Sequence, residues 1–384
     1  MDSAGLIVVG SGPAGVAAAE AFRAHDPVSP VLILTDDRHP PYARPPLSKE
    51  YLRGDTDDVA LHTSQWFDER RIELVLSHPV ENIDVASRQV TAGGVSYPFR
   101  SMVLACGSSP SPLTVDGGGS ALQLRSLADA ERLRYAAKNA RSAVVIGAGF
   151  IGCEAAASLA MRGLAVTLVA PDRVPQAKRL GTDAGQRIKR MLEDAGVDYA
   201  GGVSVESIAD GAVHLDNGVT AKGDVILAAT GVAPRSELAR AARLAISDSR
   251  IVVRSDMRTS SQHVYAAGDV AFAYNADAGR PIAVEHWQDA TDQGGVAGTN
   301  AAGGHAKWTG VPGFWTTIGD ATLKYHAWGD GYDRSRLLER DGGFTVWYEA
   351  DGAAAGVLTC NADDDYELAE DLITAGKAPP VAMT

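Results

Sequence analysis

The sequence predicts an α/β chain built on two Rossmann-like dinucleotide-binding domains, with a small α+β domain behind them. Three observations predict it. A short apolar strand, a glycine-rich turn and a small-residue helix follow one another at the N-terminus. The same order returns from residue 143. Beyond residue 308 the pattern changes to short alternating strands and one closing helix. Strand–helix–strand units imply parallel sheets with right-handed crossovers.

Taken in order, residues 6–9 read as the first strand, residues 16–25 as an alanine-rich helix and 31–34 as the second strand, which ends in Thr35-Asp36. Between strand and helix stands Gly10-Ser11-Gly12-Pro13-Ala14-Gly15. Residues 72–97 alternate and turn, and 101–105 form a strand. The second copy has a strand at 143–146, the turn Gly147-Ala148-Gly149-Phe150-Ile151-Gly152, a helix at 153–162 and a strand at 166–169. An alternating stretch at 203–219 and a strand at 224–228 close it, as 72–97 and 101–105 close the first. Residues 253–270 look like a return to the first domain, and Gly303-Gly304 loosens the chain before Trp308. Strands at 322–328, 335–340, 344–349 and 355–361 and a helix at 364–375 make the tail. The expected domains are 1–112 with 240–308, then 113–239, then 309–384.

The glycine spacing carries chemistry. In G-x-G-x-x-G the first glycine makes the tight turn, the second lets the backbone approach a pyrophosphate, and the third lets helix and strand pack closely. The helix N-terminus adds partial positive charge and open N–H donors. Gly10, Gly12 and Gly15 fit, with Pro13 and Ala14 inside the turn, and Asp36 lies 21 residues past Gly15, where a carboxylate bonds a ribose hydroxyl. Gly147, Gly149 and Gly152 fit equally. There the carboxylate position holds Ala170, followed by Pro171-Asp172-Arg173. Asp172 serves the ribose if the cofactor is NADH; Arg173 accepts a 2′-phosphate if it is NADPH. The nearby carboxylate favours NADH.

Bulk properties narrow the partners. Of 384 residues 22% are charged, and the net charge is −13, which argues against nucleic acid and anionic membrane surfaces. The cluster Lys178, Arg179, Arg187, Lys189 and Arg190 reads as a solvated helix face. No apolar run approaches the roughly 18 residues of a membrane span. Met1 leads into an acidic residue and a strand, so no secretory signal is expected. Cys106, Cys153 and Cys360 are far apart and make neither a C-x-x-C pair nor a metal-like spacing. The expectation is a cytoplasmic protein with no metal, monomeric or homodimeric.

The two fingerprints, with Tyr42-Ala43-Arg44-Pro45-Pro46-Leu47-Ser48-Lys49 between them, resemble the FAD-dependent pyridine nucleotide-disulfide reductase superfamily. More narrowly they resemble the reductases of ferredoxin, rubredoxin and putidaredoxin that feed oxygenases and P450s, and apoptosis-inducing factor shares the motifs. Leu124-Arg125-Ser126, Ala229-Thr230-Gly231, Val264-Tyr265-Ala266-Ala267-Gly268-Asp269, Glu285-His286-Trp287 and Phe314-Trp315 occur in the family's order. The resemblance implies a glutathione-reductase-like fold with FAD at the first turn and NADH, or NADPH, at the second. It implies that Asp36 binds the adenosine ribose, that Arg44, Lys49 and Arg125 lie along the pyrophosphate and isoalloxazine, and that Asp269 holds the ribityl hydroxyls. Val80, Ala105, Gly107, Gly231 and Gly268 complete the implied backbone contacts. The resemblance also implies that Phe150 sits at the nicotinamide–flavin junction, and Ile151 is a further expected cofactor-binding residue. Glu285, His286, Trp287 and Trp315 line the nicotinamide side.

The candidate catalytic residues are Lys49 and Glu154, which the resemblance pairs beside flavin N5. Taken by itself, Glu154 reads as an exposed helix charge, Trp287 and Trp315 as core aromatics, and His286 as a structural histidine. Two departures stand out. Residues 41–49 contain no cysteine, which excludes disulfide or peroxide chemistry there. After Phe314-Trp315 the family often continues Ser-Asp, whereas this chain has Thr316-Thr317. The implied activity is electron transfer from NADH through FAD to a small iron–sulfur protein, ferredoxin or rubredoxin. A redox-responsive interaction protein like apoptosis-inducing factor and an NADH oxidase are the alternatives.

Overall fold

A computed structural model describes residues 4–380, which form two compact units. The first comprises Met1–Ala43, Ala60–Ser109 and Ala233–Phe314, the second Arg44–Val59, Pro110–Val232 and Trp315–Thr384.

In the first unit one sheet runs Ile72–Val75, Val31–Leu34, Ala4–Val9, Val95–Leu104, Gln89–Ala92, Val80–Asp84, and Val264–Ala266 also pairs with Val95–Leu104. The long strand Val95–Leu104 changes partners along its length. Its start pairs antiparallel with Gln89–Ala92, and from Phe99 onward it runs parallel to Ala4–Val9. Leu6, Ile7 and Val8 are fully buried, as a strand covered on both faces requires. One cover is the helix Pro13–His25, which meets the helix Trp287–Ala301. Their backbones touch through glycine: a Cβ on Gly294 would lie 2.2 Å from the Ala14 carbonyl oxygen, and one on Gly298 would lie 2.0 Å from that of Ala18. A four-stranded sheet of Ile246–Ser247, Arg250–Val253, Ala271–Asn275 and Arg280–Ala283 completes this unit.

The second unit repeats the design. Its parallel sheet runs Val197–Gly201, Ala165–Ala170, Ser142–Ile146, Val225–Ala228. A three-stranded antiparallel sheet, Val205–Ala209, Ala212–Leu215 and Thr220–Lys222, packs Ile208, Val213 and Leu215 against Val144, Ile146 and Val169. The tail is a five-stranded sheet in the order Gly313–Ile318, Ala321–Ala327, Ala353–Cys360, Gly343–Ala350, Arg334–Arg340, with the helix Asp363–Thr374 on it. Gly313–Ile318 is a strand that periodicity did not mark.

Both turn helices begin three residues before the first apolar-periodic position, at Pro13 and Phe150. The cause is local: Gly12 and Gly149 are the cap residues, and in the first helix alone proline is favoured at the first helical position because its missing N–H would be unpaired anyway. The basic cluster lies on the helix Ala177–Asp194 and is ion-paired more than merely solvated: Arg187 with Glu339, Lys189 with Glu193, and Lys178 with Asp172. Among the described residues no helix is long and apolar enough to cross a membrane, and no cluster of metal-ligating side chains occurs.

Candidate functional site

The two glycine turns have one geometry. Gly10 has φ +108° and Gly147 has φ +104°, a region that side chains rarely enter. A Cβ on Gly10 would lie 2.3 Å from the Ala105 carbonyl oxygen; one on Gly147 would lie 2.4 Å from that of Ala229. The third glycines are as tight: Cβ atoms on Gly15 and Gly152 would meet the Gly10 and Gly147 oxygens at 2.0 and 1.9 Å. Gly149 is the reverse case, for a side chain there would meet nothing nearer than the Gln176 amide at 4.0 Å. That open position before a helix N-terminus is where a pyrophosphate fits. Ala105-Cys106-Gly107 and Ala229-Thr230-Gly231 flank the turns alike, with Gly107 and Gly231 both at positive φ.

Around the first turn, Ser11 Oγ donates to Thr35 Oγ1 at 3.0 Å. Asp36 is exposed, and its carboxylate accepts from Arg235 Nη2 at 2.6 Å. Arg235 also donates its backbone N–H to the Gly107 carbonyl, so it stands at the rim of the turn. Both partners are nearly half exposed, at 44% and 47%, and such a pair is worth only about 0.2–1 kcal/mol. Burial pushes the Cys106 thiol up to about 11, against the pull of the nearby Arg235 charge. Val80 opens its strand half-buried. Gly268 donates to Gln293 Oε1, and Asp269 beside it is 8% exposed. Glu285 is exposed and pairs with Arg250 at 2.6 Å. His286 Nδ1 lies 3.0 Å from Asp289 Oδ2 and its ring 4.9 Å from Phe314. Trp287 opens its helix half-buried rather than in the core.

Around the second turn, Phe150 is the first helical residue and Ile151 is exposed. The Arg179 guanidinium stands 5.8 Å over the Phe150 ring and 5.5 Å over that of Tyr325. Gln176 donates to the Ala148 carbonyl at 3.2 Å, bracing the turn. Ala170 is buried at its strand end, and the Asp172 carboxylate lies 3.8 Å from Lys178 Nζ. Arg44 Nη1 donates to the Arg125 carbonyl at 3.3 Å. Trp315 is 42% exposed, which corrects the core-aromatic expectation.

At Glu154 the structure corrects only the reading of the residue taken by itself, for the pairing with Lys49 that the resemblance implied is present. Glu154 is not a surface charge but 3% exposed, and Lys49, at 5%, donates to its Oε2 at 3.1 Å. Ser48 Oγ donates to the same oxygen at 2.5 Å, and Thr316 Oγ1 donates to Oε1 at 2.7 Å. Burying two charges costs several kcal/mol per ion unless they are paired and the remaining lone pairs are met, as here. Sequence reasoning named Lys49 and Glu154 but missed Ser48, Thr316, Arg235 and Gln176. A signal existed for two of these: Ser48 lies inside the Arg-Pro-Pro-Leu-Ser-Lys string, and Thr316 marks the departure after Trp315.

Known proteins share the family and the fold of this chain. Residues 5–294 match the model of the pyridine nucleotide-disulphide oxidoreductase family. The ferredoxin–NAD(+) reductase component of the anthranilate 1,2-dioxygenase system of Burkholderia cepacia is 31% identical, over 97% of this chain and 95% of its own length. A ferredoxin reductase from Rhodopseudomonas palustris superposes with a TM-score of 0.91 at 29% identity, covering 97% of this chain and 95% of its own. Putidaredoxin reductase, in a covalent complex with putidaredoxin, gives 0.91 at 28%, covering 97% and 93%. The chain therefore belongs to the pyridine nucleotide-disulphide oxidoreductase family and is an oxidoreductase that works with a flavin and a pyridine nucleotide.

Proposed function

We propose that this chain is an NADH:ferredoxin-type reductase: hydride passes from NADH to FAD, and electrons leave singly to a small iron–sulfur protein. The observation that carries this reading is the buried Lys49–Glu154 pair in a chain without a reactive thiol. Despite the family's name, the chain has no C-x-x-C pair and no cysteine in residues 41–49, and burial raises the thiols of Cys106, Cys153 and Cys360 above their ordinary value, which disfavours disulfide exchange. The residues fit the two cofactors. FAD belongs at the first turn, with Asp36 accepting from its ribose and Asp269 from its ribityl chain; NADH belongs at the second. In domain terms, 1–112 with 240–308 are proposed to hold the flavin, 113–239 the nicotinamide nucleotide, and 309–384 to form the C-terminal domain; the two compact units differ in grouping Arg44–Val59 and Trp315–Thr384 with the second and Ala233–Phe314 with the first. Bound FAD supplies the change from two-electron to one-electron transfer that nicotinamide cannot make.

The chain's own part is binding and electrostatics. With FAD bound as the resemblance implies, the Lys49 ammonium would stabilise the negative charge that hydride transfer delivers, and a dry surrounding would make that attraction larger than in water. Glu154 offsets the burial of that ammonium and aims it. Arg44 and Arg125 suit phosphate and isoalloxazine oxygens, as guanidinium forks do. The Asp36–Arg235 pair is exposed, so a ribose diol would replace the arginine there at little cost.

The test is turnover with NADH and with NADPH against a panel of ferredoxins and rubredoxins, with oxygen alone as the control. The reading requires a yellow protein whose NADH-reduced flavin is reoxidised faster by one of these acceptors than by oxygen. A reduced flavin that none of them reoxidises, and that persists with bound nucleotide, would instead favour the redox-responsive interaction protein.

A further inference from the structure

Glu154 is held from both sides by hydroxyl groups that no motif assigns. Lys49 and Ser48 both donate to Oε2, and Thr316 donates to Oε1 at 2.7 Å. All four side chains are at least nine-tenths buried. Ser158, one helical turn after Glu154, donates to the Ser48 carbonyl at 2.7 Å, so the helix grips the Ser48–Lys49 segment at two points. Thr316 comes from the strand Gly313–Ile318, directly after the exposed Trp315. Its neighbour Thr317 turns away to share a hydrogen bond with Thr322 at 3.0 Å.

A buried carboxylate with both donors on one oxygen would leave the other unsatisfied, which costs about 1–3 kcal/mol. It would also be free to turn, because the terminal torsion of glutamate is broad and roughly two-fold. Thr316 removes both faults. It occupies Oε1, and so keeps Oε2 facing the Lys49 ammonium.

We propose that Thr316 is a positioning residue for hydride transfer, acting through Glu154 on Lys49, with Ser48 as its counterpart on the second oxygen. This rests on the reading that Lys49 faces the flavin. The hydroxyl, not the bulk, of residue 316 is what matters. The position therefore tolerates serine and not valine, which has threonine's shape without its donor.

The experiment compares wild type, Thr316→Val, Thr316→Ser and Ser48→Ala as FAD-loaded proteins. FAD content, the midpoint potential of the bound flavin and the rate of its bleaching by NADH are measured for each. Thr316→Val is expected to keep its FAD, to shift the flavin to a lower potential and to bleach on the order of tenfold more slowly, the size of one lost hydrogen bond to a charged group. Thr316→Ser restores both potential and rate, and Ser48→Ala repeats the loss from the other oxygen. A purely structural role for Thr316 would lower the melting temperature and leave the potential unmoved. Should Thr316→Val fail to fold, Thr316→Ala gives the same comparison with Thr316→Ser. A valine or alanine variant with wild-type potential and rate overturns the proposal. So does a serine variant as impaired as the valine one. A wild-type chain that takes up no FAD overturns the proposal together with the reading beneath it, whereas a wild type bleached by NADH and matched by Thr316→Val overturns the proposal alone.

Discussion

The two glycine turns are nearly the same object built twice, and what differs between them lies in what each scaffold carries. Backbone angles, close contacts and flanking strands correspond position by position, from Gly10 and Gly147 to Gly107 and Gly231. Seven residues after the first glycine, one helix carries Ala17 and the other Glu154. Just past the second strand the first copy offers exposed Asp36, while the second has Pro171 at the matching position and leaves its carboxylate one residue later, 3.8 Å from a lysine. After the strand that flanks each turn, Cys106 in the first copy corresponds to Thr230 in the second. On the proposed assignment, the turn would decide that a dinucleotide binds, while the helix after it and the residues past the second strand would decide which nucleotide and what is done with it.

The most drastic way to break the correspondence is to spoil one turn and keep the other. Gly10→Ala and Gly147→Ala each force a side chain to positive φ and within 2.5 Å of a backbone carbonyl. The backbone strain alone costs about 1–3 kcal/mol. Gly10→Ala should yield a colourless protein, and Gly147→Ala a yellow one that NADH no longer bleaches. Absorbance at the flavin band before and after NADH distinguishes them, and a colourless Gly147→Ala would mean that the turns are not assigned as proposed.

A smaller effect is expected at the ribose. Asp36→Ala removes one acceptor and frees Arg235, and should weaken FAD binding by an amount worth about 1–3 kcal/mol. Nucleotide affinity of the protein that remains loaded should barely change. Titration of apoprotein with FAD, and of holoprotein with NAD(+), checks this, and equal losses in both would contradict separate sites. The smallest effect belongs to the second strand end. Wild type should prefer NADH modestly, because Lys178 shares the charge of Asp172. Ala170→Glu should sharpen the preference by repelling a 2′-phosphate, read as the ratio of kcat/KM for the two coenzymes. A strong preference of wild type for NADPH would make Arg173 the contact instead.

How much of this was legible depended on distance along the chain. Each turn with its strand and helix spans some 30 consecutive residues, so spacing alone displayed the fold, both copies and Asp36. The tail strands were legible because they alternate. The strand Gly313–Ile318 was not, since its glycine, aromatics and threonines show no clean period. Nothing local could reveal that Glu154 is buried. Its partners lie 105, 106 and 162 residues away, and an isolated glutamate on a helix is an exposed charge by default. Arg235, 199 residues from Asp36, was invisible for the same reason. The helix contact at Gly294 and Gly298 was likewise hidden, since its meaning needs the facing carbonyls of Ala14 and Ala18.

The central claim is that Lys49 and Glu154 act as one unit at the point where hydride arrives. The direct test is stopped-flow bleaching of the flavin band by NADH in Lys49→Ala, Glu154→Ala and the double variant, each confirmed to hold FAD. Each single change should slow bleaching by one to a few orders of magnitude, at about 1.4 kcal/mol per factor of ten, and the double should be little worse than the slower single. Strictly additive losses, or a Glu154→Ala protein bleached at the wild-type rate, would contradict it.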